Sequence, residues 1–179
     1  PTLPSLSRSS FIAPPPTTLT EPLSQEPTSN GRTISSDVAM ARGEALPHGP
    51  LRIACIMDDF TLSSYQPEAV LHQLTPGHWG AELETATPDL LFIESAWRGK
   101  DDLWGNKVGH TSAELQGIVE WCRAKHIPTV FWCKEDPIHF ETFLNTAMLF
   151  DYVFTTDIDC IHRYKAALGH DRVYLLPFA

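Results

Sequence analysis

The sequence is short of positive charge: 13 Lys and Arg stand against 22 Asp and Glu, a formal net charge of −9. A surface that grips nucleic acid must displace counterions from phosphates with Lys and Arg, so this balance argues against a general nucleic-acid binder. No apolar run approaches the roughly 20 residues needed to cross a bilayer. The opening PTLPSLSRSS lacks the basic stretch and apolar core of a secretory leader. Cysteine is sparse as well. Cys55, Cys122, Cys133 and Cys160 form no C-x-x-C pair, which argues against a closed tetrahedral zinc set. The first three lie in apolar runs and read as packed, reduced thiols, which predicts a cytoplasmic setting. Three common motifs are absent: G-x-G-x-x-G, G-x-x-x-x-G-K-[ST] and G-x-S-x-G. A classical dinucleotide site, a P-loop and a hydrolase elbow each lack their fingerprint. No Cys sits at a polar strand end with an obvious His partner, so thiol nucleophile chemistry has no support either.

What is present divides near residue 50. The first 50 residues hold 9 of the 15 prolines and a single aromatic, Phe11. Such a stretch buries too little apolar area to offset its ordering entropy, and it reads as a flexible tail or linker. Its Pro14-Pro15-Pro16 run would also suit a proline-binding partner. Residues 51–179 carry 10 basic and 18 acidic side chains, so the acidity belongs to the folded part. The apolar runs 51–57, 89–94, 128–133, 151–155 and 172–176 read as buried strands, with 70–74 a weaker sixth. Helical spacing lies between them. From Thr111, Leu115, Ile118, Val119 and Cys122 share a face, and Thr111 with Glu114 has capping-box spacing. Phe140, Phe143, Leu144 and Ala147 follow Asp136, with Pro137 suited to a first helical position. A third helix runs from near Thr156 to a Gly169 cap, and a short one opens at Thr75-Pro76 with Trp79 and Leu83 on one face. Strand and helix alternating at this spacing predict a three-layer Rossmann-like or flavodoxin-like α/β domain over about 50–179, with a mostly parallel sheet.

In open α/β sheets, ligands bind where strands end at their carboxyl side. Those ends carry Asp58-Asp59, then Glu94, then Lys134-Glu135-Asp136, then Thr156-Asp157. The loop 95–110 is the most informative stretch. It holds Trp97, Arg98, Lys100, Trp104, Asn106 and Lys107, interleaved with Gly99, Gly105 and Gly109. Indole faces suit sugar rings or bases, and Arg and Lys suit phosphate. Equally, Trp97 and Trp104 could fold back as a small core under the loop. Glu94 closes an apolar strand, where a carboxylate is tuned as a general base or else paired with Arg98 or backbone N–H groups. Asp136 is a helix cap or a second base. Lys134 and Glu135 precede a helix start that favours an anion, and His139 in its first turn could reach the same rim. Asp58 with Asp59 resembles the acidic pair of phosphoacceptor receiver domains, which hold Mg²⁺. The match lacks an aspartate ending the third strand and a lysine ending the fifth.

Four stretches together are similar to one family. They are FIESAWRG (92–99), FWCKEDP (131–137), FDYVFTTD (150–157) and VYLLPFA (173–179). They resemble the amino-terminal half of CgeB-like, spore-maturation-type bacterial glycosyltransferases, over about residues 51–179. The family pattern has Asn where Cys133 stands, and Cys cannot supply the amide's hydrogen bonds. The resemblance implies a GT-B enzyme, two Rossmann-like domains around a cleft. The amino-terminal domain mainly holds the acceptor, a sugar or a protein, and the carboxyl-terminal domain the nucleotide-sugar donor. It implies no metal and no further cofactor in this half, with a missing donor-binding domain as partner. Glu94, Trp97, Arg98, Trp104, Lys107, Lys134, Glu135, Asp136 and His139 would line the cleft, with Glu94 or Asp136 as base. On this reading the fragment is inactive alone. A non-catalytic binding module and a receiver-like phosphoacceptor using Asp58 and Asp59 stand as alternatives.

Overall fold

A computed structural model describes residues 49–178. The proline-rich stretch read as a tail therefore lies, but for Gly49 and Pro50, outside the described residues. Among the described residues six strands alternate with five α-helices: β1 (Arg52–Ile56), α1 (Asp59–Tyr65), β2 (Val70–Gln73), α2 (Trp79–Ala86), β3 (Leu90–Glu94), α3 (Ala113–Ala124), β4 (Thr129–Cys133), α4 (Phe140–Ala147), β5 (Tyr152–Thr155), α5 (Cys160–Leu168) and β6 (Val173–Leu175). The strands form one sheet in the order β2-β1-β3-β4-β5-β6. Every neighbouring pair is parallel. This is the Rossmann-like three-layer architecture expected from the alternation of apolar runs and helical spacing.

Burial follows position in the sheet. Every residue of central β4 is buried, whereas the edge strands β2 and β6 are partly exposed. A strand covered on both faces must be apolar at each position. That is why TVFWC was the plainest run and VLHQ the faintest.

The two faces are unequally covered. Ile56, Leu91, Ile93, Phe131 and Val153 pack with side chains of α2, α3, α4 and α5 in the larger core. The opposite face, with Cys55, Met57, Phe92, Val130 and Trp132, packs against Leu62 and Tyr65 of α1.

Helix starts differ from the sequence expectation in four places, the last helix beginning at Cys160 rather than near Thr156. Ser112, not Thr111, caps α3, its hydroxyl accepting the Leu115 N–H at 3.3 Å. Thr111 lies outside the helix, with φ at +48°. The fourth helix begins at Phe140 rather than beside Asp136, because the Asp136 carboxylate is already used by the Thr155 and Tyr164 hydroxyls. The peptide between Asp136 and Pro137 is cis. The second helix begins at Trp79, after the Thr75 side chain and N–H have bonded to Glu82. The expected Gly169 cap is present, left-handed at φ +70°. All four cysteines are free and buried.

Candidate functional site at the carboxyl ends of the strands

The register decides which side chains meet. Ile56 stands beside Ile93, and Glu94 beside Trp132, so the residues after β1, β3 and β4 arrive together at one end of the sheet. Side chains alternate faces along a strand. Glu94 therefore shares the face of Phe92 and Trp132, the one that α1 covers, and it is completely buried there. Its Oε1 accepts from the Asp58 backbone N–H at 2.5 Å and from Lys134 Nζ at 2.9 Å. Lys134 Nζ also reaches Asp58 Oδ2 at 3.1 Å. One ammonium thus bridges carboxylates delivered by two neighbouring strands. Behind it, the Lys134 N–H donates to the Ser95 hydroxyl at 3.0 Å.

Asp58 does a second job. Its carboxylate accepts the backbone N–H groups of Gly99, Arg98 and Trp97 at 2.8, 3.3 and 3.4 Å. The loop after β3 is thereby fastened to the end of β1. Charge–amide bonds of this kind are among the stronger hydrogen bonds in proteins.

Burial is the largest influence on all three charged groups, with different outcomes. At Glu94 burial wins and raises the pKa, against the Asp58 N–H, the Thr61 hydroxyl and Lys134. At Asp58 burial is outweighed by the Gly99 N–H, Lys134 and the Arg98 N–H, and the pKa falls below its ordinary value. At Lys134 burial is outweighed by Glu94 and Asp58, and the pKa rises. Glu94 Oε2 and the Thr61 hydroxyl are both buried, and the hydroxyl supports the Glu94 carboxylate.

The loop beyond Gly99 folds over its own small core. Trp104 is completely buried, its indole N–H donating to the Leu74 carbonyl at 2.8 Å. Val108 is buried with it. Gly99 is left-handed, and a Cβ there would stand 2.8 Å from Trp104 Cδ1. Asp101, Asp102 and Asn106 also have positive φ, a conformation that Asp and Asn tolerate better than most residues. Trp97 takes the opposite fate. It is 43% exposed, standing edge-on to His139 at 5.0 Å and to Phe143 at 5.3 Å between centroids. Together with Arg98, Asp102, Gly105 and Asn106 it lines an open depression. Arg98 pairs with Asp102 at 3.4 Å, both side chains largely in solvent.

The sequence candidates therefore separate into groups. Trp97, Arg98 and His139 are brought together at an accessible surface, with Asp102 and Asn106 added. Glu94 and Lys134 form a buried ion pair with Asp58, so Lys134 is a fastener of the rim rather than an open phosphate ligand. Trp104 is withdrawn from any ligand surface by its packing. Lys107 pairs with Glu114 at 2.6 Å, which ties the loop to the first turn of α3. Asp136 is half-buried, and accepts from Thr155 Oγ1 at 2.6 Å and from the Tyr164 hydroxyl at 3.2 Å. Burial raises its pKa. Glu135 offers its backbone carbonyl to the His139 N–H at 3.0 Å. Cys133 is buried beneath Asp136 and Tyr164, and burial pushes its thiol up to about 12. Asp58 is engaged by Lys134 and the loop while Asp59 is exposed, an arrangement unlike an acidic pair poised on one cation. Among the described residues no group of three or more His, Cys, Asp or Glu side chains is placed to hold a metal ion.

Sequence reasoning missed Thr61, Ser95 and Asp102. Only their places after β1, after β3 and in the loop pointed toward them, because their partners are 33 to 39 residues away or set by the loop's own fold. No helix among the described residues is long and apolar enough to cross a membrane. No family model, curated protein or solved structure matches the chain.

Proposed function

We propose that this domain is the acceptor side of a GT-B glycosyltransferase, presenting an acceptor sugar to a nucleotide-sugar donor held by a second domain. The observation that carries the reading is the Trp97 platform at the carboxyl end of β3. A half-exposed indole braced by His139 and Phe143, and flanked by Arg98, Asp102 and Asn106, offers what a pyranose needs. Its apolar face can lie on the ring, and its hydroxyls find donors and acceptors at the edge. The Asp58 carboxylate holds the loop amides from Trp97 to Gly99, so the platform is set in advance rather than ordered by the ligand. The resemblance of FIESAWRG and FWCKEDP to CgeB-like enzymes supports the same assignment. Glu94, on the sheet face that α1 covers, and Asp136 are both already hydrogen-bonded. In this reading they hold the rim, and the proton of the acceptor hydroxyl goes to a base made accessible when the two halves close.

The test is binding to the 179-residue chain by saturation-transfer NMR. The probes are methyl glycosides of glucose, galactose and N-acetylglucosamine, with UDP-glucose as the donor control. The expected result is saturation transfer to at least one glycoside, lost in Trp97→Ala, with none to UDP-glucose. Binding of UDP-glucose alone, or glycoside binding that survives Trp97→Ala, would overturn the assignment.

A further inference from the structure

A second hollow lies on the other side of the ion-paired cluster, between α1 and the segment that follows β6. Its volume is about 330 Å³, at the small end of the roughly 300–1,000 Å³ usual for small-molecule sites. Four rings line it: Phe60, Tyr65, Trp132 and Phe178. Trp132 meets Phe178 at 5.3 Å and Tyr65 at 6.3 Å between centroids, and Phe60 faces Phe178 at 6.5 Å. Phe60 is 66% and Phe178 51% exposed, so the two rings at the mouth are apolar surface left open to water. The Trp132 indole N–H is spent on the Leu176 carbonyl at 2.9 Å, which ties the chain after β6 to the wall.

The polar groups of this hollow include no cation. Glu68 and the hydroxyls of Thr61 and Ser64 line it, and no Lys or Arg does. Thr61 is 2% exposed, and its buried Oγ1 supports the Glu94 carboxylate beneath the hollow. The cluster beneath carries two carboxylates, Asp58 and Glu94, against the single ammonium of Lys134. The floor is therefore negative; at Tyr65, burial first and the Glu94 charge second raise the pKa.

We propose that this hollow binds a small organic cation, a protonated amine carried on an apolar body of about the size of a benzene ring. The rings attract a cation through their negative faces, the apolar body displaces water from Leu176 and Pro177, and the ammonium N–H donates to Glu68 or to the Ser64 hydroxyl oxygen. Carboxylates, phosphates and nucleotides find no positive partner there. The proposal does not depend on the glycosyltransferase reading, because it uses none of the residues of the Trp97 platform.

The test uses three probes of one shape on the ¹⁵N-labelled 179-residue chain: 2-phenylethylammonium, 2-phenylethanol and 3-phenylpropionate. The readout is the indole N–H resonance of Trp132. The amine is expected to shift it with an affinity about tenfold above the alcohol, and the carboxylate to leave it unmoved. Glu68→Gln and Ser64→Ala, both at exposed positions, are each expected to weaken the amine severalfold while leaving the alcohol nearly unchanged. An alcohol or carboxylate that binds as tightly as the amine overturns the proposal. So does a Trp132 resonance moved by none of the three, or amine affinity unchanged in both variants. Glycoside binding is read at the Trp97 indole in the same spectra, so failure at either place leaves the other legible.

Discussion

Lys134 shows how much a single side chain holds together here. Its ammonium lies 2.9 Å from Glu94 and 3.1 Å from Asp58, and only a tenth of its side chain is exposed. Lys134→Met would leave Glu94 buried with an uncompensated charge, which costs about 3–5 kcal/mol. Urea unfolding should record that loss, and Glu94→Gln added to Lys134→Met should recover most of it. A single variant as stable as the parent would mean that Glu94 is held neutral by burial instead. The pH dependence has a worked sign for each member. The lowered pKa of Asp58 makes its contribution fully present above the ordinary 3.8 and lost as pH falls below it. The raised pKa of Lys134 makes its contribution fully present below 10.5 and lost as pH rises beyond. The raised pKa of Glu94 acts in the opposite sense to that of Asp58, since protonation on acidification relieves its burial while it breaks the pair. Gly99 is a second decisive position. Its φ of +60° and the 2.8 Å from a would-be Cβ to Trp104 Cδ1 make Gly99→Ala unfavourable by about 1–3 kcal/mol. Thermal unfolding checks this, and the Trp104 fluorescence should redden as the indole loses its fit.

At the scale of elements, the loop between β3 and α3 is anchored at both ends. Asp58 holds its start through three backbone N–H groups, and Lys107 holds its end by pairing with Glu114. Lys107 first, then the Glu114 backbone N–H and the Ser112 hydroxyl, lower the Glu114 pKa to about 2. Carboxyl NMR titration should find that midpoint, and Lys107→Met should move it back toward the ordinary 4.5. The sign follows from the depression: this tie is fully present above the unfolded value and is lost as pH falls toward 2. A Glu114 midpoint near 4.5 in the parent chain would show that the loop is not tethered there. The elements also differ in how legible they were. Central β4 announced itself because both its faces are buried, leaving five apolar or Thr residues in a row. Helix α1 did not. Its seven residues, DFTLSSY, have no side-chain cap and bury only Thr61 completely, so they carry no helical period strong enough to read. Trp97 and Trp104 looked alike in sequence, seven residues apart in one Gly-rich loop. Only the fold of that loop, which turns one indole onto the Leu74 carbonyl and leaves the other against His139, separates packing from surface. The pairing of Lys134 with Asp58 and Glu94 was hidden for another reason: it spans 76 and 40 residues and depends on strand order.

For the whole molecule, the parallel order β2-β1-β3-β4-β5-β6 brings Asp58, Glu94, Ser95 and Lys134 to one edge, as the placement rule for open α/β sheets requires. That edge carries two dissimilar surfaces. One is the Trp97 depression on the side of α4, open and polar. The other is the aromatic hollow on the side of α1, narrow and negative. The Asp58–Lys134–Glu94 cluster touches both, holding the Trp97–Gly99 backbone on one side and adjoining Thr61 on the other. The first of these surfaces is the one proposed to receive a sugar. A ¹H–¹⁵N spectrum of the chain, titrated with the methyl glycosides, tests that proposal most directly. The Trp97 indole and the backbone amides from Trp97 to Asn106 are expected to shift together and saturably, while the buried Trp104 indole and the Trp121 indole of α3 stay in place. Shifts confined to residues away from this loop, or no shift with any glycoside, would contradict it.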